Sequence, residues 1–131
     1  MGGDDGCDGP RGRVLVVEDE PAIRTLVQLA LQRVELDVWT AQDGADALDL
    51  LREESFDIIL LDFLMPGMTG LELSSRVRRL DPTLPIALLS GSAALLTDEE
   101  IAAAGITYTF AKPFDLQALI DWIDAVLPCR A

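Results

Sequence analysis

Short apolar runs alternate with longer amphipathic segments along most of the chain. The first run, Val14-Leu15-Val16-Val17, is continuous and rich in β-branched residues, which is typical of a strand covered on both faces. Further stretches with several apolar residues occur at residues 36–40, 56–61, 85–89 and 106–111. The pattern therefore predicts five short strands.

Each predicted strand is followed by an amphipathic segment that predicts a helix. The first helix opens at Pro21 and runs to about residue 34, with an apolar stripe of Ile23, Leu26, Val27, Ala30 and Val34. The others are predicted at residues 43–53, 69–80, 97–104 and 115–127, with Gly105 as a C-terminal stop and Asp115 as an N-cap. Inward-facing positions are expected at Ala47, Leu48 and Leu51 of the second helix and at Leu116, Leu119, Ile120, Ile123 and Leu127 of the fifth.

Five strand-then-helix units imply an α/β fold with a parallel sheet, helices on both faces and right-handed crossovers. No internal repeat or low-complexity stretch competes with this interpretation. In such sheets, functional groups gather at the carboxyl ends of the strands, near the point where the strand order reverses. A functional site is therefore expected among the residues that end the strands.

Polar residues follow four of the predicted strands. They are Glu18, Asp19 and Glu20 after the first, Asp62 after the third, Ser90 after the fourth and Lys112 after the fifth. Carboxylates that converge at one edge repel each other unless a hard cation lies between them, and oxygen ligands suit Mg²⁺ better than zinc or copper. A carboxylate with an ammonium and a hydroxyl nearby is what in-line phosphoryl transfer requires, because the metal and the ammonium neutralise the phosphoryl oxygens.

Each of these residues also has a purely structural explanation. Asp19 or Glu20 could cap the first helix, and Asp62 could cap a turn. Ser90 could be a small buried polar residue, and Lys112 an ordinary surface lysine. Their joint occurrence at four strand ends favours a site that combines Mg²⁺ binding with phosphoryl chemistry.

Composition narrows the range of possible functions further. The 131 residues fit one domain, and a net charge of −13 argues against a nucleic-acid surface. The one basic cluster, Arg76, Arg78 and Arg79, is interpreted as the solvated face of a helix. The chain has no histidine, which excludes His-based zinc sites, histidine-activated nucleophiles and phosphohistidine on this chain. Carboxylates, hydroxyls and lysine must therefore perform the chemistry.

The first residues of the chain do not have the pattern of a signal peptide. Residues 1–12 lack a cationic segment followed by an apolar one and are interpreted as a disordered leader, and residues 129–131 as a tail. No apolar run approaches the roughly 20 residues of a membrane helix, so no membrane contact and a cytoplasmic location are expected. Cys7 and Cys129 are expected to be free thiols.

Four stretches together resemble the receiver domain of two-component response regulators and hybrid histidine kinases. They are VLVVEDE at residues 14–20, DIILLDFLMPGMTG at 57–70, ALLSGSA at 87–93 and FAKPF at 110–114. The resemblance spans about residues 13–127, which places the receiver domain at residues 13–128, and implies a flavodoxin-like, doubly wound sheet of strand order 2-1-3-4-5. It also implies a phosphoacceptor that catalyses its own Mg²⁺-dependent phosphorylation and dephosphorylation and does not turn over free substrates.

The resemblance implies a role for each residue of the site. Asp62 is the phosphoacceptor, Asp19 binds Mg²⁺ directly, Glu18 binds it through water, and the backbone carbonyl of Leu64 is another ligand. Glu18 occupies a position where many members have Asp, which the family tolerates. Lys112 pairs with the phosphoryl group, and the peptide bond between it and the following proline is expected to be cis.

The switch residues implied by the resemblance are Ser90 and Thr109. Ser90 is the hydroxyl that moves toward the phosphoryl group. Thr109 occupies the position where the family usually has Tyr or Phe, an aromatic ring that swings inward when the hydroxyl moves. Tyr108 and Phe110 flank it, but strand alternation points both to the other face. The usual aromatic relay to an output surface is therefore expected to differ in this chain.

The resemblance also implies partners. The phosphodonor is a histidine kinase or a histidine phosphotransfer protein that docks near the first helix, and an output partner is expected at helix 4, strand 5 and helix 5. Leu29, with Gln28 and Gln32, is expected in the docking surface, the alternative being that these are ordinary flank residues like Leu31. Trp122 is a candidate interface anchor, unless it packs against the preceding helix.

Other classes of function remain as alternatives. A Mg²⁺-dependent phosphohydrolase on a similar sheet uses Asp-x-Asp, but Leu64 occupies the second position here. A flavin-binding module needs a phosphate loop rich in Ser, Thr and Gly after the first strand, where this chain has three acids. A phosphate-independent interaction module on a receiver fold is the third, and the intact set of acids, hydroxyl and lysine argues against it.

Overall fold

Ten elements alternate strictly between strand and helix in the computed structural model, which describes residues 12–91, 96–112 and 114–127. The strands are β1 (Arg13–Val17), β2 (Asp37–Ala41), β3 (Ile58–Asp62), β4 (Ile86–Ser90) and β5 (Tyr108–Ala111). The helices are α1 (Pro21–Gln32), α2 (Gly44–Glu53), α3 (Gly70–Leu80), α4 (Asp98–Ala103) and α5 (Leu116–Val126). All ten predicted elements are therefore confirmed, with ends within two residues of the predicted ones.

The strands form one parallel sheet of order β2-β1-β3-β4-β5. This confirms the flavodoxin-like, doubly wound topology expected from the sequence. The chain runs outward from β1 to β2 and then returns to β3 on the other side of β1, so the strand order reverses between β1 and β3. The carboxyl ends of all five strands lie at one edge, and a functional site is expected beside the reversal.

Two apolar layers cover the sheet. Side chains of α2, α3 and α4 pack on one face of the strands, and those of α1 and α5 pack on the other. Every residue of β3 and β4 is buried, which explains why both strands are apolar without alternation up to the polar residue that ends each of them. The inward-facing residues predicted for α2 and α5 are all buried or packed against these layers.

The prediction for α1 is wrong at two positions, Leu26 of the predicted stripe and Leu31 of its predicted flank. Val27 and Leu31 are fully buried, whereas Leu26 is 53% exposed and Leu29 is 55% exposed. Val27 and Leu31 are one helical turn apart and define the inward direction, and Leu26 lies about 100° from Val27 around the axis. Leu31 is therefore a core residue, and Leu26 joins Leu29 on the exposed side of α1.

Local sequence signals fix the helix ends. Thr69 and Thr97 each begin a capping box with the glutamate three residues later, and Asp115 accepts a hydrogen bond from the backbone N–H of Gln117. Gly105 follows α4 with a φ of +76°, a left-handed conformation that glycine adopts without strain. The predicted cap at Asp115 and stop at Gly105 are thus confirmed.

Several expectations concern residues outside the described ranges. They include the leader up to residue 11, both cysteines, the tail and the Lys112–Pro113 peptide bond. Gly12, which the sequence assigns to the leader, accepts a hydrogen bond of 2.9 Å from the backbone N–H of Asp37. Over the described part of the chain, every helix is too short or too polar to cross a lipid bilayer.

Candidate functional site

Three carboxylates meet at the carboxyl edge of the sheet. One oxygen from each of Glu18, Asp19 and Asp62 lies within 4.8 Å of the other two. Glu18 directly follows β1, and its N–H donates to the carbonyl of Ala41 at 3.1 Å, which extends the pairing of β1 with β2. Glu18 is 1% exposed and Asp62 is 6% exposed, whereas Asp19 faces solvent. The predicted convergence of the acids is therefore confirmed, and it lies beside the reversal of strand order.

Lys112, which follows the edge strand β5, contacts two of these acids. Its Nζ lies 2.7 Å from Oδ1 of Asp62 and 3.2 Å from Oε1 of Glu18. Its backbone N–H donates to the carbonyl of Ser90 at 2.9 Å, which continues the pairing of β4 with β5 and holds the start of this loop. The contact of Lys112 with Glu18 was not predicted, because it depends on how far the lysine side chain reaches across β3 and β4.

The site contains more acidic than basic groups, and their proximity shifts the pKa of Glu18 and of Lys112. Burial raises the pKa of Glu18, and the charge of Asp62 raises it further, while the N–H of Glu20 and the ammonium of Lys112 lower it; the net effect is a raised pKa. For Lys112, burial lowers the pKa, but the hydrogen bond and charge of Asp62, followed by those of Glu18, raise it above its usual value. The lysine therefore remains charged, and one ammonium faces three carboxylates.

This set of donors fits a hard divalent cation. Carboxylate oxygens are the ligands that Mg²⁺ prefers, and the exposure of Asp19 leaves room for the water molecules that Mg²⁺ retains. Leu64 lies two residues past Asp62 in the loop that follows β3, and its side chain is 64% exposed. Receiver domains in general bind Mg²⁺ at an acidic cluster of this kind.

The two predicted switch residues lie on the same face of the sheet. Ser90 ends β4 and is 1% exposed, and half-buried Thr109 pairs in register with Leu88, two residues before Ser90. Tyr108 and Phe110 lie on the opposite face, as strand alternation predicted. The ring of Trp122 lies 6.0 Å from each of theirs, so this tryptophan packs against β5.

The backbone around Asp62 is closely packed. The N–H of Gly70 donates to the carbonyl of Phe63 at 2.8 Å, so α3 begins directly against the end of β3. A Cβ added at Gly70 would lie 2.6 Å from the carbonyl oxygen of Asp62 and 2.7 Å from the side chain of Leu88. Glycine is therefore required at this contact, and the contact fixes the backbone of Asp62.

Two further features were not predicted. Nη1 of Arg24 donates to the backbone carbonyl of Glu18 at 2.9 Å and ties α1 to the acidic loop. An apolar hollow of about 430 Å³ lies beside Lys112, lined by Ile23, Leu26, Phe114 and Leu116. The i, i+3 spacing of Ile23 and Leu26 is the sequence signal that could have indicated one wall of this hollow.

Comparison with known proteins decides the family. The model of the response regulator receiver domain matches residues 14–124. The chain belongs to the response regulator receiver domain family. Members interact with histidine kinases or phosphotransfer proteins and with output domains, as parts of two-component systems and phosphorelays.

Similar proteins include small regulators and longer ones. The chain is 34% identical to the response regulator receiver protein CpdR of Brucella abortus, over 88% of this chain and 96% of that protein. It is 29% identical to sporulation initiation phosphotransferase F of Bacillus subtilis, over 91% of this chain and 96% of that protein. The response regulator PilR of Pseudomonas aeruginosa is 33% identical, but the chain spans only 27% of its length.

Solved receiver structures share the fold. The chemotaxis response regulator CheY4 of Vibrio cholerae is 33% identical with a TM-score of 0.78, over 92% of this chain and all of that one. The response regulator TrrA of Thermotoga maritima, in complex with Mg²⁺ and a beryllium fluoride, is 31% identical with a TM-score of 0.80, over 88% of this chain and 98% of that one.

Proposed function

We propose that this receiver domain accepts a phosphoryl group on Asp62 from a phosphohistidine donor, in a reaction that depends on Mg²⁺. The observation that supports this most directly is the contact of 2.7 Å between Asp62 and Lys112 inside a cluster of three carboxylates. A nucleophile, a charge-neutralising ammonium and a set of metal ligands thus lie within reach of one phosphoryl group.

The reaction is an in-line displacement at phosphorus. A carboxylate oxygen of Asp62 attacks, the P–N bond of the phosphohistidine breaks with its electron pair leaving on the imidazole, and an acyl phosphate forms on Asp62. Lys112 neutralises the phosphoryl oxygens, and the Ser90 hydroxyl donates a hydrogen bond to one of them. Bound Mg²⁺ would supply further charge neutralisation.

Four residues would hold the metal ion. Asp19 and Asp62 would bind it through carboxylate oxygens, the Leu64 carbonyl would add a backbone ligand, and Glu18 would contact it through water. The burial of Glu18 next to Lys112 suits an indirect contact, because this carboxylate already accepts hydrogen bonds from Lys112 and from the N–H of Glu20.

The phosphodonor docks on the exposed side of α1, next to the apolar hollow beside Lys112. Leu26 and Leu29 are the exposed leucines of this helix, and Gln28 and Gln32 lie next to them. Leu26 also lines the hollow, so an apolar side chain of the donor placed there would lie near the site of transfer. A histidine kinase or a histidine phosphotransfer protein is the expected donor.

The conformational switch involves Ser90 and Thr109. Movement of the Ser90 hydroxyl toward a phosphoryl group frees space on the face of the sheet that it shares with Thr109. Thr109 is smaller than the aromatic residue usual in the family, so the movement of its side chain when Ser90 moves is small. The output partner is proposed to bind at α4, β5 and α5, where Tyr108 is 50% exposed.

Acetyl phosphate tests the proposal without a partner protein. With Mg²⁺, intact mass spectrometry should show the addition of one phosphoryl group, and this addition should be lost with a chelator or in Asp62→Asn. Lys112→Met should keep the fold and slow the addition, because the ammonium that neutralises the phosphoryl oxygens is gone. A wild-type protein that neither gains the group nor binds beryllofluoride would instead be a phosphate-independent interaction module.

A further inference from the structure

Three arginines converge on a hollow between the C-terminal halves of α2 and α3. The cavity has a volume of about 200 Å³ and is lined by Leu48, Arg52, Arg76, Arg79 and Leu80, which together we call the arginine hollow. The three arginine side chains are exposed to solvent, as is half of Leu80. In a chain with a net charge of −13, this is a local concentration of positive charge.

In the part of the chain that the structure describes, a carboxylate pairs with one of these three cations. Among the described residues, Arg52 has one ion pair, a contact of 3.4 Å with Asp49 in which both side chains are exposed, and Arg76 and Arg79 have none. Arg78 lies on the same helix but donates its hydrogen bonds to the carbonyls of Asp81 and Gly105. The guanidinium groups of Arg76 and Arg79 therefore remain available to a ligand, and the exposed contact of Arg52 with Asp49 leaves the rest of its guanidinium group available.

Helix electrostatics explain only part of this arrangement. Arg52 and Arg79 lie in the last turns of α2 and α3, where cations interact favourably with the helix dipole. Arg76 lies about one turn earlier, where this effect has largely faded, and the dipole does not require arginines of two helices to face one cavity. Three like charges around a hollow repel one another, and a bound anion would relieve that repulsion.

We propose that the arginine hollow binds a compact phosphorylated small molecule. The planar guanidinium group matches two phosphate oxygens at once, and three such groups suit one or two phosphoryl groups. Leu48 and Leu80 provide an apolar surface for a short organic body. The cavity is smaller than the roughly 300 Å³ at which sites for drug-sized ligands begin, which limits the ligand to a compact one.

The hollow is separate from the acidic site. Helices in this fold run antiparallel to the strands, so the last turns of α2 and α3 lie toward the amino ends of the strands, whereas Asp62 lies at the carboxyl ends. Ligand binding here is therefore a function beyond phosphoryl acceptance, and each can be tested without the other.

Isothermal titration calorimetry of the full chain with pyrophosphate tests the proposal. Mg²⁺-free buffer of low ionic strength keeps the acidic site from contributing. We expect saturable binding of one pyrophosphate per chain, weakened about tenfold or more in the double variant Arg76→Gln/Arg79→Gln. Arg33→Gln, which removes an exposed arginine at the end of α1, is the matched control and should bind like the wild type.

Two further measurements distinguish loss of binding at the arginine hollow from misfolding and from failure of the phosphoacceptor function. Thermal melting and phosphorylation of Asp62 by acetyl phosphate should be the same in the double variant as in the wild type, which excludes misfolding as the cause of weaker binding. Asp62→Asn should still bind pyrophosphate, so failure of the proposed phosphoacceptor function would not affect this result. Absence of saturable binding to the wild type, or equal binding to the double variant, would overturn the proposal.

Discussion

At the scale of single residues, Glu18 is the clearest case of opposing influences. It is buried beside Asp62, which disfavours its charge, and it accepts a hydrogen bond from Lys112, which favours it. The first influence prevails, because the pKa of Glu18 is raised above its usual 4.5. Without metal, the charged carboxylate therefore costs the folded state free energy.

This cost gives a pH dependence of known sign. Between 4.5 and the raised pKa, folded Glu18 binds more protons than unfolded Glu18, so the free energy of unfolding falls as the pH rises through this interval. The contribution of Lys112 stays constant there, because its raised pKa means that it is lost only above its usual 10.5. We expect Glu18→Gln to gain stability relative to the wild type as the pH rises.

Thermal melting in a chelating buffer, from pH 4 to pH 8, measures this difference. Glu99→Gln, which replaces an exposed glutamate of α4, should show no comparable trend. A difference between Glu18→Gln and the wild type that stays constant across the range would contradict the electrostatic description of the site.

Asp19 provides a second test at this scale. Removal of one of three mutually repelling carboxylates should raise the metal-free melting temperature of Asp19→Asn. It should also abolish the response to Mg²⁺, whereas the wild type should gain about 1.4 kcal/mol at ten times the dissociation constant. The exposed Asp121→Asn of α5 is the control and should respond like the wild type. An Asp19→Asn variant that melts lower and still responds to Mg²⁺ would refute this prediction.

At the scale of elements, apolar runs were sufficient to predict β3 and β4, because strands buried on both faces have nearly continuous apolar sequences. The partly exposed edge strands β2 and β5 were predicted from mixed stretches with fewer apolar residues. The acids, Ser90 and Lys112 could be placed at one edge because parallel strands share the direction of their ends. The side of α1 that faces the sheet could not be predicted as well. Leu26 and Val27 are adjacent and both apolar, and only packing against the sheet decides which one points inward.

The start of α3 is the element on which the position of Asp62 depends most. In Gly70→Ala, the added methyl group would overlap the carbonyl oxygen of Asp62, so the junction between β3 and α3 must move. We expect a lower melting temperature and slower phosphorylation by acetyl phosphate. Gly91→Ala is the matched control, since within the described ranges its Cβ would meet Lys112 alone, at an ordinary 3.8 Å. Equal effects of the two substitutions would show that the close contact at Gly70 is unimportant.

At the scale of the whole molecule, functional groups are divided between the two ends of the sheet. The acidic cluster and Lys112 lie at the carboxyl edge, and Leu26 of α1 lines the hollow beside Lys112, whereas the arginine hollow lies toward the opposite edge. Sequence patterns predicted the groups at the carboxyl edge, because the ends of the strands can be recognised in the sequence. The hollow could not be predicted, because it depends on which sides of α2 and α3 face each other.

The docking surface gives a prediction at this scale. Leu26→Asp and Leu29→Asp should slow phosphoryl transfer from a cognate phosphohistidine donor and leave the reaction with acetyl phosphate unchanged, because the small donor needs no protein surface. Leu80→Asp, which replaces an exposed leucine of α3, should slow neither reaction. An unchanged rate of transfer to Leu29→Asp would remove this residue from the docking surface.

The central claim is that Asp62 is the residue that receives the phosphoryl group. Borohydride reduces an aspartyl phosphate to homoserine, so peptide mass spectrometry after acetyl phosphate and borohydride treatment identifies the modified position. We predict homoserine at position 62 alone, and only when Mg²⁺ is present during phosphorylation. Reduction at Glu18 or Asp19 instead, or at no acidic residue of the chain, would contradict the claim.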